Sequence, residues 1–122
     1  MANKIINYLV ILLILLACND NKSPNDVNIR LKNTSRYDYK NIIVYDKEFE
    51  DLKSGALSEY QQFDIAYRYA FVELEINGSV YTIQPIDYVG ETPLENGFYT
   101  YQIGANDSND QYGKLSIDLV KD

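Results

Sequence analysis

Val72-Glu73-Leu74-Glu75-Ile76-Asn77-Gly78-Ser79-Val80-Tyr81-Thr82-Ile83 reads as a β-hairpin from its pattern alone. Apolar and polar residues alternate on both sides of Asn77-Gly78, and alternation is the period of a half-buried strand. Asn-Gly tolerates the left-handed backbone that a two-residue hairpin turn requires. In that turn Ile76 faces Ser79, Leu74 faces Tyr81 and Val72 faces Ile83. These residues share one face, and Glu73 and Glu75 share the other with Val80 and Thr82. The register buries the aliphatic side chains and leaves both carboxylates in water, so turn chemistry and core pattern agree.

Short strands separated by turn residues continue on either side. Val27, Ile29 and Leu31 alternate with Asn28, Arg30 and Lys32, and a loop follows at Asn33 to Asp38. Lys40 to Asp46 carries the apolar run Ile42-Ile43-Val44-Tyr45. Phe49 to Gly55 reads as irregular, with Phe49 and Leu52 plugging the core and Gly55 turning the chain. Leu57 to Phe63 reads as a further strand packed through Tyr60 and Phe63. Downstream, Pro85 has no N–H to give a ladder and ends or edges the hairpin's second strand. Ile86 to Asn96 is then a loop, Gly97 to Ile103 a strand, Asn106 to Gly113 a polar loop and Lys114 to Lys121 the last strand. About seven strands at regular spacing, with no helical period among them, predict an all-β, antiparallel β-sandwich over residues 27–122.

Leu94-Glu95-Asn96-Gly97-Phe98-Tyr99 resembles the L-x-x-G-x-Y approach to the penultimate strand of immunoglobulin-like and fibronectin-type sandwiches. The resemblance implies that the Tyr99 hydroxyl ties a loop back to the backbone as a structural tyrosine corner. Many β-domains carry this motif, so it speaks to architecture and not to function. The chain has one cysteine and no tryptophan, which sets aside an antibody-type core.

The amino-terminal segment belongs to another class. After Met1-Ala2-Asn3-Lys4, residues 5–17 are apolar except for Asn7 and Tyr8, and Leu15-Leu16-Ala17-Cys18 runs straight into Asn19-Asp20-Asn21-Lys22. A basic start, a short apolar run and a small residue at the cut make a secretory signal. A spanning helix needs about 20 apolar residues, and this run is shorter. With Cys18 directly after the small residue, the segment resembles the lipobox of bacterial lipoproteins. That resemblance implies a signal helix at 1–17, palmitate or a similar acyl chain on Cys18, and a polar tether at 18–26. A cleaved signal without lipid is the alternative. The whole chain also resembles small uncharacterised β-sandwich lipoproteins of Bacteroidota, and no activity comes with that likeness. Asn19 after the cysteine favours the outer membrane, with the periplasmic or surface side left open.

Composition narrows the chemistry. Eleven basic and eighteen acidic side chains give a charge of −7, or −8 once Lys4 leaves with the signal. That balance argues against nucleic acid and against electrostatic attachment to anionic lipid. The predicted membrane partner is therefore the bilayer reached through acylated Cys18. No histidine is present, so there is no Ser-His-Asp triad, imidazole base or imidazole ligand. The one thiol is assigned to lipid, and no glycine-rich phosphate loop occurs.

The remaining candidates are weaker. Asp87 and Glu91 in the 86–96 loop could serve a glycosidase only if a cleft separated them. Asn106 to Asp110 is dense in oxygen, but counting from Asp107 places Tyr112 where a calcium loop needs glycine and Asp118 where it needs glutamate. Turn-forming residues explain that loop, and no metal is expected. Asp46, Glu48, Glu50 and Asp51, interleaved with Lys47 and Lys53, form a solvated mixed-charge stretch. Twelve tyrosines suit half-buried strand positions. Not all of them can be buried, and Tyr37, Tyr39 and Tyr88 are the candidate contact surface together with Asp87 and Glu91. The expectation is a membrane-anchored, non-catalytic binding or scaffolding domain of the bacterial cell envelope, with an envelope protein or glycan as partner and no cofactor. A loop-presenting enzyme inhibitor or a small glycan-active enzyme is the alternative.

Overall fold

The computed structural model describes residues 26–122. The predicted signal segment, Cys18 and the tether up to residue 25 lie outside the described residues. Eight strands form: β1 (Val27–Asn33), β2 (Lys40–Val44), β3 (Lys47–Phe49), β4 (Gln61–Phe63), β5 (Val72–Ile76), β6 (Ser79–Ile83), β7 (Gly97–Ala105) and β8 (Leu115–Lys121). They make two four-stranded sheets, ordered β4-β1-β7-β8 and β3-β2-β5-β6. The inward side chains of both sheets meet in one core, with Ile29, Leu31, Tyr101 and Ile103 from the first and Ile42, Val44, Val72 and Leu74 from the second. Alternation explains this directly: β1 and β5 bury every second residue.

The hairpin forms in the predicted register, Val72↔Ile83, Leu74↔Tyr81 and Ile76↔Ser79. Asn77 and Gly78 both take positive φ, 52° and 84°, as a mirror-image two-residue turn demands. Phe49 and Leu52 are buried, and Gly55 turns the chain at φ 80°.

Three expectations need correction. The sheets are not purely antiparallel, because β1 and β7 pair in parallel from Val27↔Gly97 to Asn33↔Ile103. The 84–96 loop carries the chain from one sheet to the other and returns it at the end where β1 begins, so the two strands run the same way. The strands number eight, because Lys47–Phe49 folds back on β2 through Tyr45 and Asp46. Finally, the run from Leu57 is interrupted. Leu57 bridges Lys32, ordered pairing resumes only at Gln61↔Ile29, and the offset between the two pairings marks one extra residue.

The sandwich has two unlike ends. At one lie the turn after β2, the 64–71 and 84–96 loops, and Asp26, where the chain enters. The Asp26 N–H donates to Asn96 Oδ1 at 2.8 Å, and its carbonyl accepts from Gly97 N–H at 3.1 Å. The 34–39 loop, the hairpin turn and the 106–114 loop occupy the other.

Candidate functional site

At the end where the chain enters, three tyrosine rings stack. Tyr67 and Tyr69 stand two residues apart in the 64–71 loop, where the chain bends at Arg68 and Tyr69. Tyr88 comes from the 84–96 loop and slots between them, 4.5 Å from Tyr67 at 15° and 5.4 Å from Tyr69 at 19°. Tyr45 lies 6.3 Å from Tyr88 and meets Phe63 edge-on at 5.6 Å.

Buried hydroxyls fix this cluster from beneath. The Tyr45 and Tyr101 hydroxyls are 3.1 Å apart and join the turn after β2 to β7 in the opposite sheet. Tyr45 donates to the Tyr69 carbonyl at 3.0 Å and accepts the Tyr67 N–H at 2.8 Å, and the single hydroxyl hydrogen of Tyr101 is shared between the Tyr45 oxygen and the Tyr67 carbonyl. Both backbone neighbours of the stack are thus held by the core. Burial pushes the Tyr101 hydroxyl far up from its ordinary value, and the neighbouring Tyr45 pushes the same way. Burial also raises Tyr45, against the opposing hydrogen bond from Tyr101. These phenols therefore stay protonated and available as hydrogen-bond donors.

Tyr45 adopts φ 55°, a left-handed conformation that a bulky side chain seldom takes. Strain of this kind persists only where surrounding contacts over-determine it. Here the hydroxyl network supplies those contacts.

Beside the stack is a cleft of about 420 Å³ lined by Tyr45, Asp46, Lys47, Phe63, Asp64, Ile65, Tyr67 and Tyr88. Its walls are aromatic and aliphatic, and Asp46 and Asp64 are exposed. Lys47 reaches the Gln62 carbonyl and lies 5.0 Å over the Phe63 ring, so it braces the wall. Its volume falls within the range of small-molecule sites, and what sets it apart from depressions of similar size elsewhere on the described residues is its aromatic lining.

The loop that delivers Tyr88 is well held. Leu94 N–H donates to the Ala66 carbonyl at 2.8 Å and Tyr69 to the Asp87 carbonyl at 3.1 Å. The buried Tyr99 donates to the Glu95 carbonyl, four residues upstream, at 2.9 Å. A tight turn closes Tyr88 to Glu91 with Gly90 at φ 83°.

The five predicted contact residues do not form one surface. Tyr88, Asp87 and Glu91 share this end, whereas Tyr37 and Tyr39 lie at the other. Tyr39 is corrected outright: it is 1% exposed, and its hydroxyl donates to the Ile103 carbonyl across the core. It is buried because its N–H and carbonyl pair with Leu52, and that pairing turns the ring inward. Tyr37 is half-buried, with its ring 4.7 Å from the Lys114 ammonium. Asp87 and Glu91 do not line the cleft. Asp87 accepts the Val89 N–H at 3.2 Å, and Glu91 stands 4.0 Å from Arg68. Tyr45, Tyr67 and Tyr69 are not among the five, because their grouping around Tyr88 depends on separate segments meeting in space.

The oxygen-rich loop is organised around an internal cation. Lys114, 3% exposed, donates to the carbonyls of Asn106 and Ser108 at 2.8 Å each. Among the described residues no group of three carboxylate, thiol or imidazole side chains is placed to hold a metal.

No family model, curated protein or solved structure matches the chain. What the molecule does has to be read from the cleft and its setting.

Proposed function

We propose that this chain is a lipid-anchored, non-catalytic binding domain of a bacterial envelope, and that the tyrosine-walled cleft takes a glycan. The anchor reading rests on the lipobox-like segment ending at Cys18, with outer-membrane delivery favoured by Asn19. The observation that carries the binding reading is a concave aromatic wall with two exposed carboxylates at its rim. Sugar rings offer apolar C–H faces to aromatic rings and hydroxyls to carboxylates, so the cleft complements both. Tyrosine also provides large, rigid contact area at low entropic cost. A flat protein surface would make less use of a concavity. The likeness to immunoglobulin-type sandwiches covers the two layers and the Tyr99 hydroxyl, and it ends at strand order. There the first two strands pair within one sheet, whereas β1 and β2 lie in different sheets.

The test is titration of envelope glycans into the mature chain carrying Cys18→Ser, followed by NMR. Resonances of Tyr67, Asp46 and Asp64 should shift together. Tyr67→Ala should weaken binding roughly tenfold, about 1.4 kcal/mol, while Tyr37→Ala leaves it unchanged. Glycan turnover that disappears in Asp87→Asn would replace this reading with a glycan-active enzyme. Stoichiometric recovery of one hydrolase from envelope extract would replace it with an inhibitor.

A further inference from the structure

Ile86 is 100% exposed and Val89 88%, on the loop that also carries Tyr88. Ile65, in the adjoining 64–71 loop, is 53% exposed. Single exposed aliphatics are ordinary, but two bare ones within four residues at a braced tip are a distinct feature. The tip is also placed where the chain enters, since Asp26 is hydrogen-bonded to Asn96 and Gly97 at the root of this loop.

We infer that this end of the sandwich rests on the bilayer, with Ile86 and Val89 inserted at its interface beside the acyl chains of Cys18. The inference rests on the lipid-anchor reading above and constrains the cleft, which lies at the same end and includes Ile65 and Tyr88: the glycan it takes would be one presented at the membrane surface. Chain length argues for it. Cys18 and Asp26 are eight residues apart, a reach of at most about 28 Å when fully extended. The seven residues of β1 alone span about 23 Å. Turning the opposite end towards the membrane would use nearly the whole tether to run alongside the domain. The end where the chain enters therefore faces the lipid, and that end carries the bare aliphatics. Tyrosine next to them suits the headgroup level, where an apolar ring and a polar hydroxyl both find partners.

The charges nearby set the type of surface. Asp87 lies between the two aliphatics with its carboxylate on the Val89 N–H, and Glu91 lies beside Arg68. Two carboxylates against one guanidinium favour zwitterionic lipid and resist an anionic leaflet.

The chain has no tryptophan, so one introduced indole reports its own surroundings. The full lipidated chain carrying Val89→Trp is reconstituted on phosphatidylcholine vesicles, with Val80→Trp at the opposite end as control. Emission from Val89→Trp should shift to the blue and be quenched about twofold by brominated lipid, as for an interfacial side chain. The Val80→Trp emission should stay water-like, and added anionic lipid should reduce the Val89→Trp effect. If the protein floats with the vesicles but Val89→Trp remains water-like and unquenched, the docking inference is wrong and the anchor stands; a protein partner or a second copy then covers the tip. If flotation is equal with Cys18→Ser, or absent altogether, the anchor reading falls and this inference falls with it.

Discussion

Lys114 is a lysine whose stem is sealed inside the domain while its ammonium finds only neutral partners. The Asn106 and Ser108 carbonyls accept from it, and the rings of Tyr37 and Tyr81 lie 4.7 and 5.1 Å from the charge. A buried charge is tolerable when oxygen dipoles and aromatic faces replace its water. The surrounding loop is built for that task. Asn106 pairs its N–H with the Lys114 carbonyl and its side-chain amide with the Gly113 carbonyl, and Asp107 accepts from Arg36 and Tyr37. The density of Asn, Asp and Ser in the sequence thus belongs to a shell around an internal cation. Replacing Lys114 by methionine keeps the stem and removes the charge, leaving two carbonyls facing an apolar methyl group. The cost should be about 2–3 kcal/mol, a fall in melting temperature of about 10–20 °C. Thermal unfolding followed by circular dichroism measures it, and an unchanged midpoint would mean the ammonium is not holding the loop.

The β5–β6 hairpin and the β2–β3 hairpin are both two-residue turns, yet only the first was legible in the sequence. Asn77-Gly78 states its conformation in its residue types, and the flanking alternation fixes the register, so every cross-strand pair followed from local rules. Gly78→Ala tests this in isolation. An added Cβ meets nothing within 4 Å, so the penalty is purely that of φ 84°. The loss should be about 1–2 kcal/mol, seen as a lower urea midpoint with an unchanged slope; a changed slope would mean that the hairpin had opened. Tyr45-Asp46 carries no comparable signal. A tyrosine enters the left-handed region there only because Tyr101, Tyr67 and Tyr69 grip its hydroxyl, and those residues are far off in sequence. The same division explains the rest. Alternation told which residues of β1 face inward, but not that β1 pairs in parallel with β7. The 86–96 loop was legible from Pro85, and Tyr88 within it is one of the predicted contact residues. Its stacking partners were not, because stacking depends on two loops meeting in space. Tyr39, predicted as a contact residue, is core, since its pairing with Leu52 involves residues that read as irregular.

The two sheets are joined across the core by tyrosine hydroxyls as well as by apolar packing, and this makes the stability of the whole domain sensitive to alkali. Tyr101 on β7 and Tyr45 at the end of β2 lie with their oxygens 3.1 Å apart, and Tyr39 links the other end through the Ile103 carbonyl. Burial raises all three above the ordinary tyrosine value of 10.0, with neighbouring hydroxyl groups adding to the rise at Tyr101. In the unfolded chain these phenols lose their protons near pH 10, while the folded domain retains them. Above that pH the unfolded state binds fewer protons than the folded one, so stability must fall as pH rises. The contribution is complete below pH 10 and is lost progressively above it. The measurement is far-UV circular dichroism and tyrosinate absorbance recorded together on one alkaline titration. An early part of the tyrosinate absorbance should rise without change in the sheet signal. The remaining absorbance should then appear in a single cooperative step with loss of the sheet. A double variant, Tyr45→Phe with Tyr101→Phe, should be less stable at pH 7, because the Tyr67 and Tyr69 backbone loses its partners. Its stability should also decline less steeply above pH 10. If all the tyrosines of the native chain ionise gradually while the sheet signal holds, the hydroxyl bridge does not join the layers. The braced floor beneath the Tyr67–Tyr88–Tyr69 stack would then need another explanation.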